Sequence, residues 1–282
     1  MATLLFGPSY ATVGGITLGG REDSGVEFLL EDIVGMGVPG GTLAPAPRPR
    51  QRGATAGDSF SKPRPLVIKG FTYAPTQALA LDALSRLTQA FPLAETQLTI
   101  VQSGVSLWCP VRRDGDLIPT WMGPTAFSWS VQLVDLDSRM FGLALTGSTG
   151  LPVASGGFVV PETWPLVIAG GGSSGSVSLV NTGTETGPVV IRIDGPCPAF
   201  AISHQSPLGL STFASSLVLN VGEFVLIDME AKTMMANGQA SRSLFITSRA
   251  WTSFYPGPNS WSFTAASYNA ASLMTVTATP AN

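Results

Sequence analysis

The chain has 282 residues, 44% of them hydrophobic, which excludes intrinsic disorder and gives enough length for two domains with proper cores. Only 12% of residues are charged, about half the roughly 25% of ordinary soluble domains, so much of the surface is expected to face neighbours in an assembly rather than water. Fifteen basic and eighteen acidic residues give a net charge of −3, which argues against a general nucleic-acid binder.

The start, MATLLFGPSY, lacks a basic segment, and its apolar run is too short for a signal peptide. Short strands broken by glycine pairs follow, with Val26–Leu29 the best of them. Ala44–Pro65 is rich in proline and carries Arg48, Arg50, Arg52, Lys62 and Arg64 against one acid, Asp58. It reads as an exposed basic arm with extended, polyproline-like backbone. Contact with nucleic acid is a weaker reading, because no aromatic residues interleave with the basic ones. Pro65–Gly70 reads as a strand.

A helix is predicted over Thr76–Phe91. Thr76 can cap it, Ala80, Leu84, Leu87 and Phe91 share one face, and Pro92 stops it. From Gln97 the pattern is β, and Phe127–Leu133 alternates cleanly with Phe127, Trp129, Val131 and Leu133 on one side. Arg113–Asp116 is expected to be a hairpin turn through its Asp-Gly pair. A Gly/Ser/Thr/Pro-rich zone, Gly147–Gly175, is expected to join two domains, residues 1–150 and 151–282. Residues 140–161 and 163–184 carry no charge, but Gly, Pro, Ser and Thr break them too often for a membrane span. Beyond the junction, strands recur about every ten residues between turns, the pattern of a β-sandwich. The fold class is therefore mainly β with one helix.

Little catalytic chemistry is present. Cys109 and Cys197 read as free thiols in different domains, which suits a reducing site of synthesis. His204 is the sole histidine, so a two-histidine metal helix or a His/Cys zinc cluster has too few ligands. Its setting, AISHQSPLG, reads as an exposed or turn-bonded position. Gly35–Gly40 fits G-x-G-x-x-G, but the proline-rich stretch after it cannot be the helix that a dinucleotide site needs. Gly171–Gly175 fits G-x-S-x-G around Ser173, but it leads into a strand rather than a helix. Asp114/Asp116 and Asp135/Asp137 sit at turns, where aspartate is favoured. No enzyme activity and no cofactor or metal is expected.

The second half carries an ordered series of marks: Asn181-Thr182-Gly183, Gly187-Pro188 through Asp194-Gly195, Leu217-x-Leu219, Gly222-Glu223 to Asp228, Asn237-Gly238, Trp251, and Tyr255-Pro256-Gly257-Pro258-Asn259 with Phe263. This series resembles the C-terminal half of the distal tail proteins of long-tailed phages. The first half is similar to the ring domain of the same family, where an Arg-x-Leu-x-Leu-x-Gly strand, here Arg64–Gly70, precedes an amphipathic helix. The strand Phe127–Leu133 is followed by a corner, Asp135–Gly142, in which Ser138 replaces the family's usual proline and Phe141 its tyrosine.

The resemblance implies a structural virion protein at the phage tail tip, made in the host cytoplasm. It implies an N-terminal tail-tube-like β domain with one helix and a C-terminal galectin-like sandwich. It further implies a homohexameric ring that joins the tail-tube protein to the tail-tip hub protein, near tape-measure and receptor-binding proteins. DNA would pass only transiently through the ring channel, and no membrane is involved. Other readings remain open: a carbohydrate-binding module, given Trp121, Trp164, Trp251 and Trp261; an esterase using Ser173; and a tail-tube subunit.

Overall fold

The computed structural model describes residues 3–5, 7, 9–153 and 173–282. They form two compact units, Met1–Met140 and Phe141–Asn282. The division falls ten residues before the expected boundary, because the strand at Leu145–Gly150 pairs within the second unit. Part of the expected junction, residues 154–172, lies outside the described residues, together with Trp164.

The first unit begins with β1 (Thr3–Leu5), β2 (Ser9–Val13), β3 (Ile16–Leu18), β4 (Gly20–Glu22) and β5 (Glu27–Val34). Four short strands follow: β6 (Gly41–Thr42), β7 (Pro45–Pro47), β8 (Ala54–Ala56) and β9 (Phe60–Ser61). Then come β10 (Arg64–Tyr73), α1 (Gln77–Ala90), β11 (Thr96–Gln102), β12 (Val105–Arg113), β13 (Ile118–Gly123) and β14 (Ala126–Asp135). The main sheet runs β1-β4-β5-β10-β14-β12-β11-β2-β3, and β13 also pairs with β14. Strict alternation in β10 and β14 turns Leu66, Ile68, Phe127, Trp129, Val131 and Leu133 into one core.

Gly70 is required inside β10. A Cβ there would lie 2.4 Å from the Trp129 ring, whose indole N–H donates to Thr72 Oγ1 at 3.0 Å. The helix caps as expected, with Thr76 Oγ1 accepting from the Leu79 N–H at 3.3 Å. Ala80, Ala83, Leu87 and Ala90 are its buried residues. None of the described helices is long and apolar enough to cross a membrane.

The second unit is a sandwich of two antiparallel sheets. One contains β15 (Leu145–Gly150), β17 (Val189–Asp194), β20 (Phe224–Asp228), β21 (Thr233–Ala236), β22 (Ala240–Ser241) and β25 (Leu273–Ala278). The other contains β16 (Ser176–Asn181), β18 (Cys197–Ser206), β19 (Gly209–Leu219), β23 (Ile246–Arg249) and β24 (Gly257–Ala265). Inward residues such as Ile191, Ile193, Ile202, Phe213, Val225, Ile227, Trp261 and Phe263 fill the space between them.

Candidate interaction surface

The described residues hold no group of three or more His, Cys, Asp or Glu able to bind a metal. Nor do they assemble the sequence motifs into a catalytic site. Ser173 Oγ is held by the Gly150 carbonyl at 3.1 Å and Thr149 Oγ1 at 3.0 Å, and Ser174–Gly175 leads into β16. Both cysteines are buried and unpaired, and burial pushes the Cys109 thiol up to about 12.

His204 departs from its expected exposed position. It is 2% exposed, on β18, stacked on Trp261 with ring centroids 4.5 Å apart. Asn259 Nδ2 donates to the Tyr255 and Gly257 carbonyls, so its Oδ1 is the acceptor for His204 Nε2–H at 3.0 Å. This fixes the tautomer and leaves Nδ1 without a partner; burial lowers the ring's pKa below the ordinary 6.5 and favours the neutral form, against the smaller, raising effect of the Asn259 bond.

The family-like positions of the second unit are caps and turns. Asn181 Nδ2 donates to the Glu185 and Phe254 carbonyls, and its Oδ1 accepts from the Gly183 N–H. A Cβ on Gly183 would lie 2.0 Å from the Ala281 carbonyl oxygen. Pro188 accepts from Thr279, Gly195 precedes a cis-Pro196, and Asp228 caps the turn at Glu230 and Ala231. Asn237 and Gly238 both take positive φ, as does Gly257 after Pro256. Trp251 is half-buried and packs on Phe213 with ring centroids 5.1 Å apart, and Trp261 is fully buried, so Trp261 offers no free sugar platform.

The arm has a different form from the one expected. It is a two-stranded ribbon, β6 with β9 and β7 with β8, inserted between the adjacent strands β5 and β10. Its base is closed by a 2.8 Å bond from the Lys62 N–H to the Gly40 carbonyl. Backbone pairing rather than isolated polyproline geometry therefore satisfies much of its main chain. Every residue from Gly40 to Lys62 is exposed. Arg48, Arg50 and Arg52 crowd its tip, and none of them makes an ion pair among the described residues. Arg64 does not belong with them. It opens β10, is 4% exposed, and donates to the Ser138 carbonyl at 2.5 Å.

Asp135, directly across the ladder from Arg64, is fully buried and accepts from the Asp137 and Ser138 N–H groups. Burial raises its pKa. Ser138 has φ +67°, which a proline ring cannot adopt, so the proline usual in the resembling corner is excluded here.

The expected Asp114–Asp116 hairpin is not one. β12 and β13 do not pair with each other; both lie along the same edge of β14, β13 against its first half and β12 against its second. The consequence is an open edge. Among the described residues β13 pairs only with β14, and Ile118, Trp121 and Met122 are exposed by 59%, 41% and 66%. Three strands away a second edge is open. β4 meets β5 only at Glu27 and Phe28, so Leu29–Val34, paired with β10 on one side, has no strand on its other side among the described residues. The patch β5-β10-β14-β13 thus ends in six free residues on each side. Sequence reading missed both edges, since they depend on where neighbouring strands stop.

The solved structures decide the fold. Over 97% of this chain and 99% of the other, it superposes on the Dit protein of phage SPP1 with a TM-score of 0.66 at 12% identity. The fold is that of a phage distal tail protein. The SPP1 Dit protein is described as a paradigm of the hub adsorption apparatus in phages that infect Gram-positive bacteria. A chain of the phage P2 baseplate in its activated, Ca-bound conformation matches with a TM-score of 0.51 at 9% identity, covering 99% of this chain and 98% of that one. No protein-family model and no curated protein matches the sequence. The Dit-like fold thus extends across both units, the tail-tube-like β unit with its helix and the sandwich.

Proposed function

We propose that the protein is a structural component of a long-tailed phage tip, a distal tail protein that forms a homohexameric ring between tail tube and tail-tip hub. The Dit-like fold over the whole chain carries this reading, and the two open edges of the first unit supply a mechanism. In a cyclic ring every copy has the same axial direction, so one surface must meet a different one on the next copy. β13 runs parallel to β10, and β5 antiparallel to it. β13 of one copy and β5 of the next therefore meet antiparallel, the direction suited to strand addition.

Four strands per copy make about 24 strands in six copies, or a circumference of about 115 Å before tilt at the usual strand spacing. Sheets closed at 16 or more strands leave an open lumen, as a channel for DNA requires. The arm leaves the sheet beside the β5 edge and is free to reach a neighbouring subunit or the tube protein. The ring positions hub and receptor-binding proteins around it, and the protein itself performs no catalysis.

Mass photometry of the concentrated protein, with negative-stain imaging, tests this reading. A closed species of six chains is expected; an open, growing tube would favour a tail-tube subunit. The pair Ile118→Asp and Met122→Asp, placed on exposed positions, is expected to abolish the ring with little change in melting temperature. A ring untouched by that pair would overturn the strand-addition contact.

A further inference from the structure

The open β5 edge reads Leu29-Leu30-Glu31-Asp32-Ile33-Val34, with its two acids in the middle. Both are exposed, and neither makes an ion pair among the described residues, although Asp32 lies across the ladder from Lys69. Glu31 is the extra residue of a bulge, since Leu30 pairs with Gly70 and Asp32 with Lys69. A bare edge of this kind can be covered in two ways: by β13 of another copy, or by β5 of another copy in a twofold dimer.

The two solutions differ sharply in charge. Full antiparallel pairing of two β5 edges sets Leu29 opposite Val34, Leu30 opposite Ile33, and Glu31 opposite Asp32, each twice. All four carboxylates then meet at the centre of the contact, where like charges directly opposed destabilise a ladder. Pairing with β13 instead sets Val34 opposite Ile118, Ile33 opposite Pro119 and Leu30 opposite Met122. Asp32 then faces Thr120, and Glu31 faces Trp121, on a strand that carries no charge.

We infer that Glu31 and Asp32 are specificity residues, which exclude a symmetric β5–β5 dimer and so reserve this edge for the head-to-tail contact. This rests on the strand-addition reading above, and repulsion against a wrong partner is a recognised route to specificity. The carboxylates act by removing a competitor that would consume subunits in pairs that cannot close into a ring.

The test is the dimer population of the full chain by mass photometry and analytical ultracentrifugation at matched concentrations. Glu31→Gln with Asp32→Asn keeps shape and removes charge, and is expected to raise dimer association about tenfold. Glu31→Lys sets a lysine against Asp32 of the other copy, and is expected to raise it further. High salt should raise the wild-type dimer in the same direction, by shortening the screening length to about 3 Å at 1 M. Dimer levels equal to wild type in both variants would overturn the inference. The comparison holds whether or not the wild type closes into rings. Absence of any ring counts against the ring reading, whereas unchanged dimer levels with rings intact count against the specificity role alone.

Discussion

At the residue scale, the second unit depends on a few polar side chains that hold buried backbone. Asn181 bonds three main-chain groups on two segments, the turn at Gly183–Glu185 and the loop at Phe254. Asn181→Ala leaves the Glu185 carbonyl without its donor, while the Phe254 carbonyl keeps its bond from the Gly187 N–H, and is expected to cost about 2 kcal/mol of that unit's stability, measured by urea unfolding. His204 makes stability depend on pH. Its folded pKa is lowered, so the unfolded chain takes up a proton near 6.5 while the folded chain resists it. The His204 contribution is complete above about pH 6.5 and is lost as pH falls below it, at up to about 1.4 kcal/mol per pH unit. Melting temperatures between pH 7.5 and 5.5 should show this slope, and His204→Gln, which still offers a donor to Asn259, should flatten it.

These residues were partly legible. Asn181, Asn237 and Asn259 stood out as turn-forming marks, but the partners of Asn181 and Asn259 lie up to 73 residues away in sequence. The burial of His204 was illegible, because a strand with Ala, Ser, His and Gln looks like a loop until its neighbour Trp261 is known. Arg64 was misread for a related reason. A buried guanidinium is unusual, and only the alternation of β10 places it on the inward face opposite Asp135.

At the element scale, strands with strong alternation and the capped helix were readable directly, since periodicity and caps are local signals. The arm's composition gave its exposure and charge but not its pairing. A ribbon rich in proline and alanine has little of the side-chain signal that marks a strand. Residues Gly40 and Lys62 are already bonded at its base, so removing Gly41–Ser61 joins two neighbouring ends. That deletion is expected to leave the melting temperature of the isolated chain within about 2 °C, as the arm buries no core residue, while weakening ring or tail assembly. Loss of folding would instead make the arm part of the domain core.

At the scale of the whole molecule, two separate cores predict two separable folding units. A fragment of Phe141–Asn282 is expected to fold alone, keep the near-ultraviolet signal of its stacked Trp261, and melt in a single transition. The sandwich and its approximate beginning were visible in the recurring turns. The boundary was not, because β15 is a short Gly/Ser/Thr strand that reads like linker yet completes a sheet with β25.

The clasp at the foot of the arm also has a practical meaning. Because Gly40 and Lys62 meet across a single hydrogen bond, the segment between them behaves as a replaceable cassette, whose length and sequence can change without moving the register of β5 against β10. A peptide epitope grafted there would be presented once per subunit at a fixed position. The same joint lets the arm's sequence vary while the sheet beneath it stays constant.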